Sequence, residues 1–434
     1  MVLAKGYAWL PDKRRSAGRR TVATRLGGLP AVGIEGPDAA RFLYDENHVL
    51  RSGALPEPVQ ATLFGKGAVH SLDGEAHRVR KAIFVALLMR EDGIASLAQQ
   101  VTSAWDDAAA EWATRPQVVL FDEAAQVLAG AVCRWAGVPV TDEEVPGVAR
   151  DLIALVDGFA TGAPRHFRAR RARKRREAWL ALLVDGVRNG TATVDPGSAV
   201  DVVAQHRDAD GEQLDPRVAA VELLNIIRPT TAVAWFLAFS AHALIRWPEN
   251  RKRLADGDAA FAEAFAHEVR RFYPFAPFIG GRAPRESAWD GETIPKNAMV
   301  LLDLYGQNHD PDLWGDPYAF RPERFLGRDI GEFELIPQGG GDPRTGHRCP
   351  GEQVTIALLT AVAVRLARLD FDVPEQDLSI SLRRIPARPA SGVVLQVRGG
   401  PSYAGGRTSS PLSSGSRSPA WTTPSRWVAR VRAT

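Results

Sequence analysis

The 434-residue chain is 45% hydrophobic and 24% charged, which supplies material for a large core and excludes a wholly disordered protein. Its 54 Lys and Arg against 51 Asp and Glu leave a net charge of +3, too small to mark a nucleic-acid binder by charge alone. Two cysteines, Cys133 and Cys349, lie too far apart for a disulfide framework or a multi-cysteine zinc site, and that usage suits a reducing compartment.

At the N-terminus, Lys5, Asp12, Lys13, Arg14 and Arg15 interrupt any apolar run, so the sequence predicts no signal peptide and a cytoplasmic location. Residues 22–26 and 31–34 read as short strands. The glycine-punctuated segment 63–74, LFGKGAVHSLDG, carries Phe64 and His70 and leads into a helix bearing His77, Arg80 and Lys81. Helical periodicity is clearest over 94–112, 122–135, 148–159, 170–187, 217–245, 261–272 and 353–369, with strand-like pieces at 293–294, 299–302 and 392–397. Cys133 falls in an apolar helix and reads as core. The basic run between 168 and 176 reads as one face of an amphipathic helix, able to steer anions toward the protein. The longest uncharged apolar stretch, 230–245, falls short of the ~18–20 residues a membrane span requires. The fold class is mainly α with small β-sheets, in one large domain over residues 1–398. Residues 399–434 turn to Gly, Ser, Pro, Thr and Arg and are predicted to be a disordered tail.

Three places carry chemistry. Residues 338–352, QGGGDPRTGHRCPGE, are too rich in Gly and Pro for helix or central strand, and lead into twelve uncharged residues that read as a buried helix. Cys349 is thereby expected at or near the amino end of that helix, followed by Pro350, a residue favoured at the first helical position; the dipole there favours a thiolate, and His347 and Arg348 add donors. A buried, inert cysteine is the alternative. In the second place, LLNIIRPTTA, Arg228 sits between apolar runs with no acid within a turn; Glu222 is six residues back on another face. A buried guanidinium needs a partner, and an anion from outside the chain fits its fork; the alternative is an arginine that reaches solvent or caps a broken helix. Pro229 is expected to kink that helix. Third, Glu268 and Arg271 stand three apart ahead of Arg324 in FRPERF, a spacing that alone suits a solvated pair.

Taken in order, the ExxR pair, the PERF segment and the glycine-rich cysteine loop resemble the cytochrome P-450 superfamily over about residues 22–397. The resemblance implies that Cys349 is the proximal ligand of haem b, and that Glu268, Arg271 and Arg324 form a triad supporting its loop. Two departures stand out: Asp342 replaces the usual Phe seven residues before Cys349, and Arg228–Pro229 replaces the acid–alcohol pair that delivers protons to oxygen. Both match the bacterial fatty-acid peroxygenases, which QGGGDPRTGHRCPGE, NIIRPTTAVAWFLAFSAHAL, EVRRFYPFAPF and LLDLYGQNHDP also resemble. That branch implies hydrogen peroxide as oxidant, no required redox partner, and oxidation at Cα or Cβ. It implies that Arg228, backed by Pro229, holds the substrate carboxylate as general acid–base. His70 stands where hydroxylating members carry Gln and an alkene-forming member carries His, which links it to decarboxylation. Phe64 is expected between His70 and the substrate, Phe278 along the channel, and His77, Arg80, Lys81 and His347 around the haem. The expected partner is a fatty acid, with no nucleic acid and no stable membrane anchor. A reductase-dependent monooxygenase and a non-catalytic haem-thiolate sensor remain the alternative readings.

Overall fold

Strand alternation builds the largest sheet. In the computed structural model, which describes residues 2–162 and 164–399, β1 (Val22–Leu26) and β2 (Leu29–Ile34) form an antiparallel hairpin. Further along the chain, β3 (Phe278–Arg282) pairs antiparallel with β4 (Met299–Asp303), and β4 runs parallel to β2, giving the order β1-β2-β4-β3. Val32, Ile34, Val300 and Leu302 share one face with Phe42 and Leu43 of α2 (Pro37–Tyr44). Ala31, Met299 and Leu301 share the other with Trp9 and Leu10 of α1 (Trp9–Ala17). Both faces are covered, so every residue of β4 is buried and its sequence is an unbroken apolar run up to Asp303. The predicted strand 392–397 is displaced to Val394–Gly399. The rest of the predicted tail lies outside the described residues.

Helices fill the remainder: α3 (Gly74–Leu88), α4 (Glu91–Trp112), α5 (Leu120–Ala136), α6 (Val145–Asp157) and α7 (Arg165–Arg188), then α8 (Pro216–Thr231), α9 (Val233–Arg246), α10 (Ala259–Phe272) and α11 (Glu352–Arg368). Between them α8 and α9 pack on α5, α7 and α11 at the centre of this layer. Pro216–Arg246 is long and apolar enough to cross a membrane, but 94% of its most apolar window is buried inside the fold, as expected of core. Cys133 is buried on α5, and burial pushes its thiol up to about 12.

The predicted helix 217–245 is in fact two. The chain stays helical through Pro229, the expected kink, and breaks three residues later at Ala232, which caps both α8 and α9. Pro229 removes the N–H that Asn225 C=O would receive, while the Thr230 and Thr231 hydroxyls donate to Ile226 O and Ile227 O at 3.1 Å and hold the last turn together.

The basic face of α7 is also not uniform. Arg165, Arg170, Arg175 and Arg176 pair with Asp157, Glu57 and Asp151 at the surface, whereas Arg173 is buried and donates to Thr62 O (3.2 Å) and Leu63 O (2.9 Å).

Candidate active site

The cysteine loop takes its shape from glycines and four staples. Gly339 and Gly341 have φ of 95° and 82°, and a Cβ on Gly339 would fall 2.3 Å from Tyr44 Oη. Cys349 N–H donates to Gln338 O (3.1 Å). Lys81 Nζ donates to Gly346 O and Arg348 O, the latter at 2.7 Å. Arg270 donates to Gln338 Oε1 (3.0 Å) and pairs with Glu352, which also receives Arg348 Nε at 2.7 Å. Helix α11 starts at Glu352 with Gly351 as N-cap, so Cys349 lies three residues before its first residue, near its amino end, and Pro350 precedes the helix. Burial pushes the Cys349 thiol up, against the Gly351 N–H, Lys81 and Arg270. The protein alone does not ionise this sulfur; a cation bound to it would.

Glu268, Arg271 and Arg324 are brought together. Arg271 Nε and Nη2 bind the Glu268 carboxylate at 2.7 and 2.8 Å, and Arg324 Nε reaches it at 3.1 Å. Among the described residues no hydrogen bond or ion pair joins the cluster to the cysteine loop; its remaining donors go to the carbonyls of Asn308, Trp314, Asp316, Pro317 and Ala319. Arg270, one residue along α10, reaches the loop instead. The sequence reading missed it, although an arginine between Val269 and Arg271 on an apolar helix was a signal.

Around the loop, the His77 and His347 rings stack at 3.9 Å, and His347 Nε2 lies 3.5 Å from Asp73 and 3.8 Å from Glu46. Burial holds His77 far below its ordinary value, to about 3. His77 Nδ1 and His347 Nε2 are buried without an aligned hydrogen bond. Arg80 and Lys81 are placed differently from expectation. Arg80 pairs with Asp208 and Glu222, and Lys81 spends itself on the cysteine loop, with burial lowering it to about 8. Carboxylates and carbonyls thus accept hydrogen bonds from both cations. A haem fits the donors left over: a lone cysteine sulfur on a stapled loop, with two orphaned imidazole nitrogens on neutral rings nearby.

Residues 60–64 form one π-helical turn, closed by Gly65 with φ 89°. A Cβ on Gly65 would lie 2.2 Å from Arg173 Nη2. The turn presents Phe64, whose ring lies 4.3 Å from that of His70 and 5.8 Å from the Arg228 guanidinium. Burial and Arg228 hold His70 well below its ordinary value, so it is a neutral imidazole with Nδ1 unpartnered, not a cationic acid. Arg228 is 6% exposed, and burial lowers it to about 9. Its one hydrogen bond among the described residues runs from Nη2 to Asn225 Oδ1 at 3.1 Å, and Nε is orphaned. Pro229 follows it on α8. Phe278 is elsewhere: its ring meets Trp9 in the cluster under the main sheet, while Phe275 turns onto Trp235 and Phe236 of α9.

Comparison with known proteins agrees with this geometry. A cytochrome P450 family model matches residues 258–392. Carnosic acid synthase of Rosmarinus officinalis is 39% identical over 117 residues, 26% of this chain and 22% of that protein. Cytochrome P450 1A2 of Oryctolagus cuniculus is 27% identical over 307 residues, 60% and 58% of the two chains. The chain therefore spans little more than half the length of these curated relatives, or less. Solved structures match over nearly their whole length. P450SP alpha (CYP152B1) with (R)-ibuprophen has a TM-score of 0.89 at 41% identity, covering 92% of this chain and 98% of that one. An OleT variant with arachidonic acid gives 0.88 at 36%, covering 92% and 95%. P450EX alpha (CYP152N1) with myristic acid gives 0.86 at 37%, covering 91% and 95%. The fold and the single cysteine on its stapled loop define a haem-thiolate protein, and the chain belongs to the cytochrome P450 family. Within that family its structural neighbours are of the CYP152 branch, the bacterial fatty-acid peroxygenases and decarboxylases.

Proposed function

We propose that this protein is a peroxygenase that uses hydrogen peroxide to oxidise long-chain fatty acids at Cα or Cβ. One observation carries the reading: Arg228 is a buried guanidinium with no carboxylate partner among the described residues and an orphaned Nε. Such a group is costly unless an anion arrives, and a carboxylate matches its remaining N–H groups. Cys349 would hold haem b, with His77 and His347 as donors to its carboxylates. The bound haem supplies the redox centre at which peroxide is reduced and a C–H bond oxidised.

The chain's own residues then have distinct tasks. Arg228 binds and desolvates the fatty-acid carboxylate, which holds the proton that O–O cleavage requires, in place of a protein acid–alcohol pair. Pro229 leaves the helix without its usual bond just below that guanidinium. Phe64 lies against both Arg228 and His70 and excludes water. His70, neutral, orients the head group through its free Nδ1. With the head group fixed, only the first carbons reach the centre. Hydroxylation converts one C–H and H2O2 to C–OH and H2O; decarboxylation converts the acid and H2O2 to a terminal alkene, CO2 and two H2O. Peroxide brings both oxygen and oxidising equivalents, so no redox partner is required. Two unpaired cysteines suit a cytoplasmic setting.

The test is haem-loaded protein with myristic acid and hydrogen peroxide, without reductase, and products read by mass spectrometry. Hydroxy acids or a thirteen-carbon alkene are expected. Product formed only on adding a reductase and ferredoxin would overturn the reading in favour of a conventional monooxygenase.

A further inference from the structure

We propose that Glu222 is the positioning residue of this head-group site: a single buried carboxylate that fixes Phe64, His70 and Arg228 relative to one another. The proposal rests on the fatty-acid reading above and extends it to what sets the reacting carbon.

Glu222 lies on α8 with no exposed surface, three residues before Asn225 and six before Arg228. Its Oε1 accepts Val69 N–H at 2.8 Å and Arg80 Nη1 at 2.8 Å, and its Oε2 accepts Asn225 Nδ2 at 3.3 Å. The first bond fixes the backbone beside His70. The third works through Asn225, whose Nδ2 also donates to Phe64 O at 2.9 Å. That amide stands between two acceptors, so turning it over would set oxygen against oxygen. Its Oδ1 is left facing Arg228 Nη2 at 3.1 Å. The segment carrying Phe64 and His70 is therefore fastened to α8 at both ends, and the guanidinium is oriented by the same chain of bonds.

Arg80 completes the device. A buried carboxylate needs a compensating charge. Arg80, itself held by Asp208, supplies it, so Glu222 does not compete for Arg228. A displacement of about 1 Å between the head-group site and the reacting centre is enough to change rates severely, so Glu222 governs which carbon is oxidised as well as how tightly the carboxylate binds.

Glu222→Gln isolates the effect. The Gln Oε1 keeps Val69 and Arg80, but its Nε2 meets Asn225 Nδ2, donor against donor, and Asn225 turns its NH2 toward Arg228. In haem-loaded protein, calorimetry is expected to show myristate binding about tenfold weaker, with 1-tetradecanol binding unchanged. The ratio of α to β products shifts, and the thiolate-type carbon monoxide spectrum matches the parent. Arg80→Met follows Glu222→Gln, which guards against poor folding of either variant alone. A merely structural role would lower the melting temperature without altering the acid-to-alcohol affinity ratio. Folded Glu222→Gln and Arg80→Met proteins with the parental affinity ratio and product ratio overturn the proposal. A parent protein that fails to prefer the acid over the alcohol overturns instead the fatty-acid reading on which it rests.

Discussion

Arg271 and Arg228 are both buried arginines on helices, with exposures of 0% and 6%, yet their surroundings are opposite. Arg271 donates from Nε and both Nη groups to Glu268, Asn308 O, Pro317 O and Ala319 O. Among the described residues Arg228 makes one hydrogen bond, to a neutral amide, and leaves Nε orphaned. Burial of a charge is therefore not what separates the two arginines; unmet hydrogen-bonding demand is. A saturated guanidinium holds a fold together, while a starved one stores an affinity for whatever anion can enter.

The largest way to break this contrast is to starve the saturated site. Glu268→Ala removes the shared carboxylate from Arg271 and Arg324 and is expected to cost about 3–5 kcal/mol, read as a fall in unfolding free energy and loss of bound haem. Retention of parental stability would mean that the carbonyls alone suffice there. The converse change, Arg228→Met, should abolish carboxylate binding and fatty-acid turnover. It should also raise the stability of ligand-free protein by about 1–4 kcal/mol, since a partnerless buried charge is replaced by an apolar side chain of similar length. A destabilised Arg228→Met protein would show that Asn225 and Phe64 already satisfy that arginine.

Acidity sharpens the same comparison. With Arg228 lowered to about 9 in free protein, rising pH removes the proton that binds the carboxylate. Myristate affinity should be flat between pH 7 and 8, then weaken, reaching about tenfold by pH 10, as followed by equilibrium titration. Affinity undiminished at pH 10 would mean that Arg228 keeps its proton there. The smallest effect concerns His70: His70→Gln should move products toward hydroxy acids by a few-fold with little change in myristate affinity, because a neutral amide can replace a neutral imidazole as a donor. An unchanged alkene fraction would leave His70 with packing alone.

Legibility from sequence followed the same division. The helices of the central layer were readable because their apolar periodicity is local, and so were Cys349, Arg228, Glu268, Arg271 and Arg324, each marked by an unusual residue in an apolar or glycine-rich setting. Spacing did not reveal that Phe278 packs on Trp9, nor which groups Arg80 and Lys81 bond. Spacing along a chain shows that a cation lies on a helix, but not which acid 128 residues away will claim it, as Asp208 claims Arg80. Pro350 stands just before α11, and Pro229 sits within a turn that two threonine hydroxyls hold together, ahead of the break at Ala232.

By itself, then, the amino-acid sequence determined the helical class, the cysteine on its glycine-rich loop and an arginine set between apolar runs with no acid within a turn. Only the tertiary structure decided that Glu222 faces Arg80 and not Arg228, that Asn225 turns its oxygen to the guanidinium, and that Arg270 reaches the cysteine loop. These are choices among hydrogen-bond partners distant in the chain. They are made when burial removes water as the alternative partner, and no local pattern encodes which polar groups then meet.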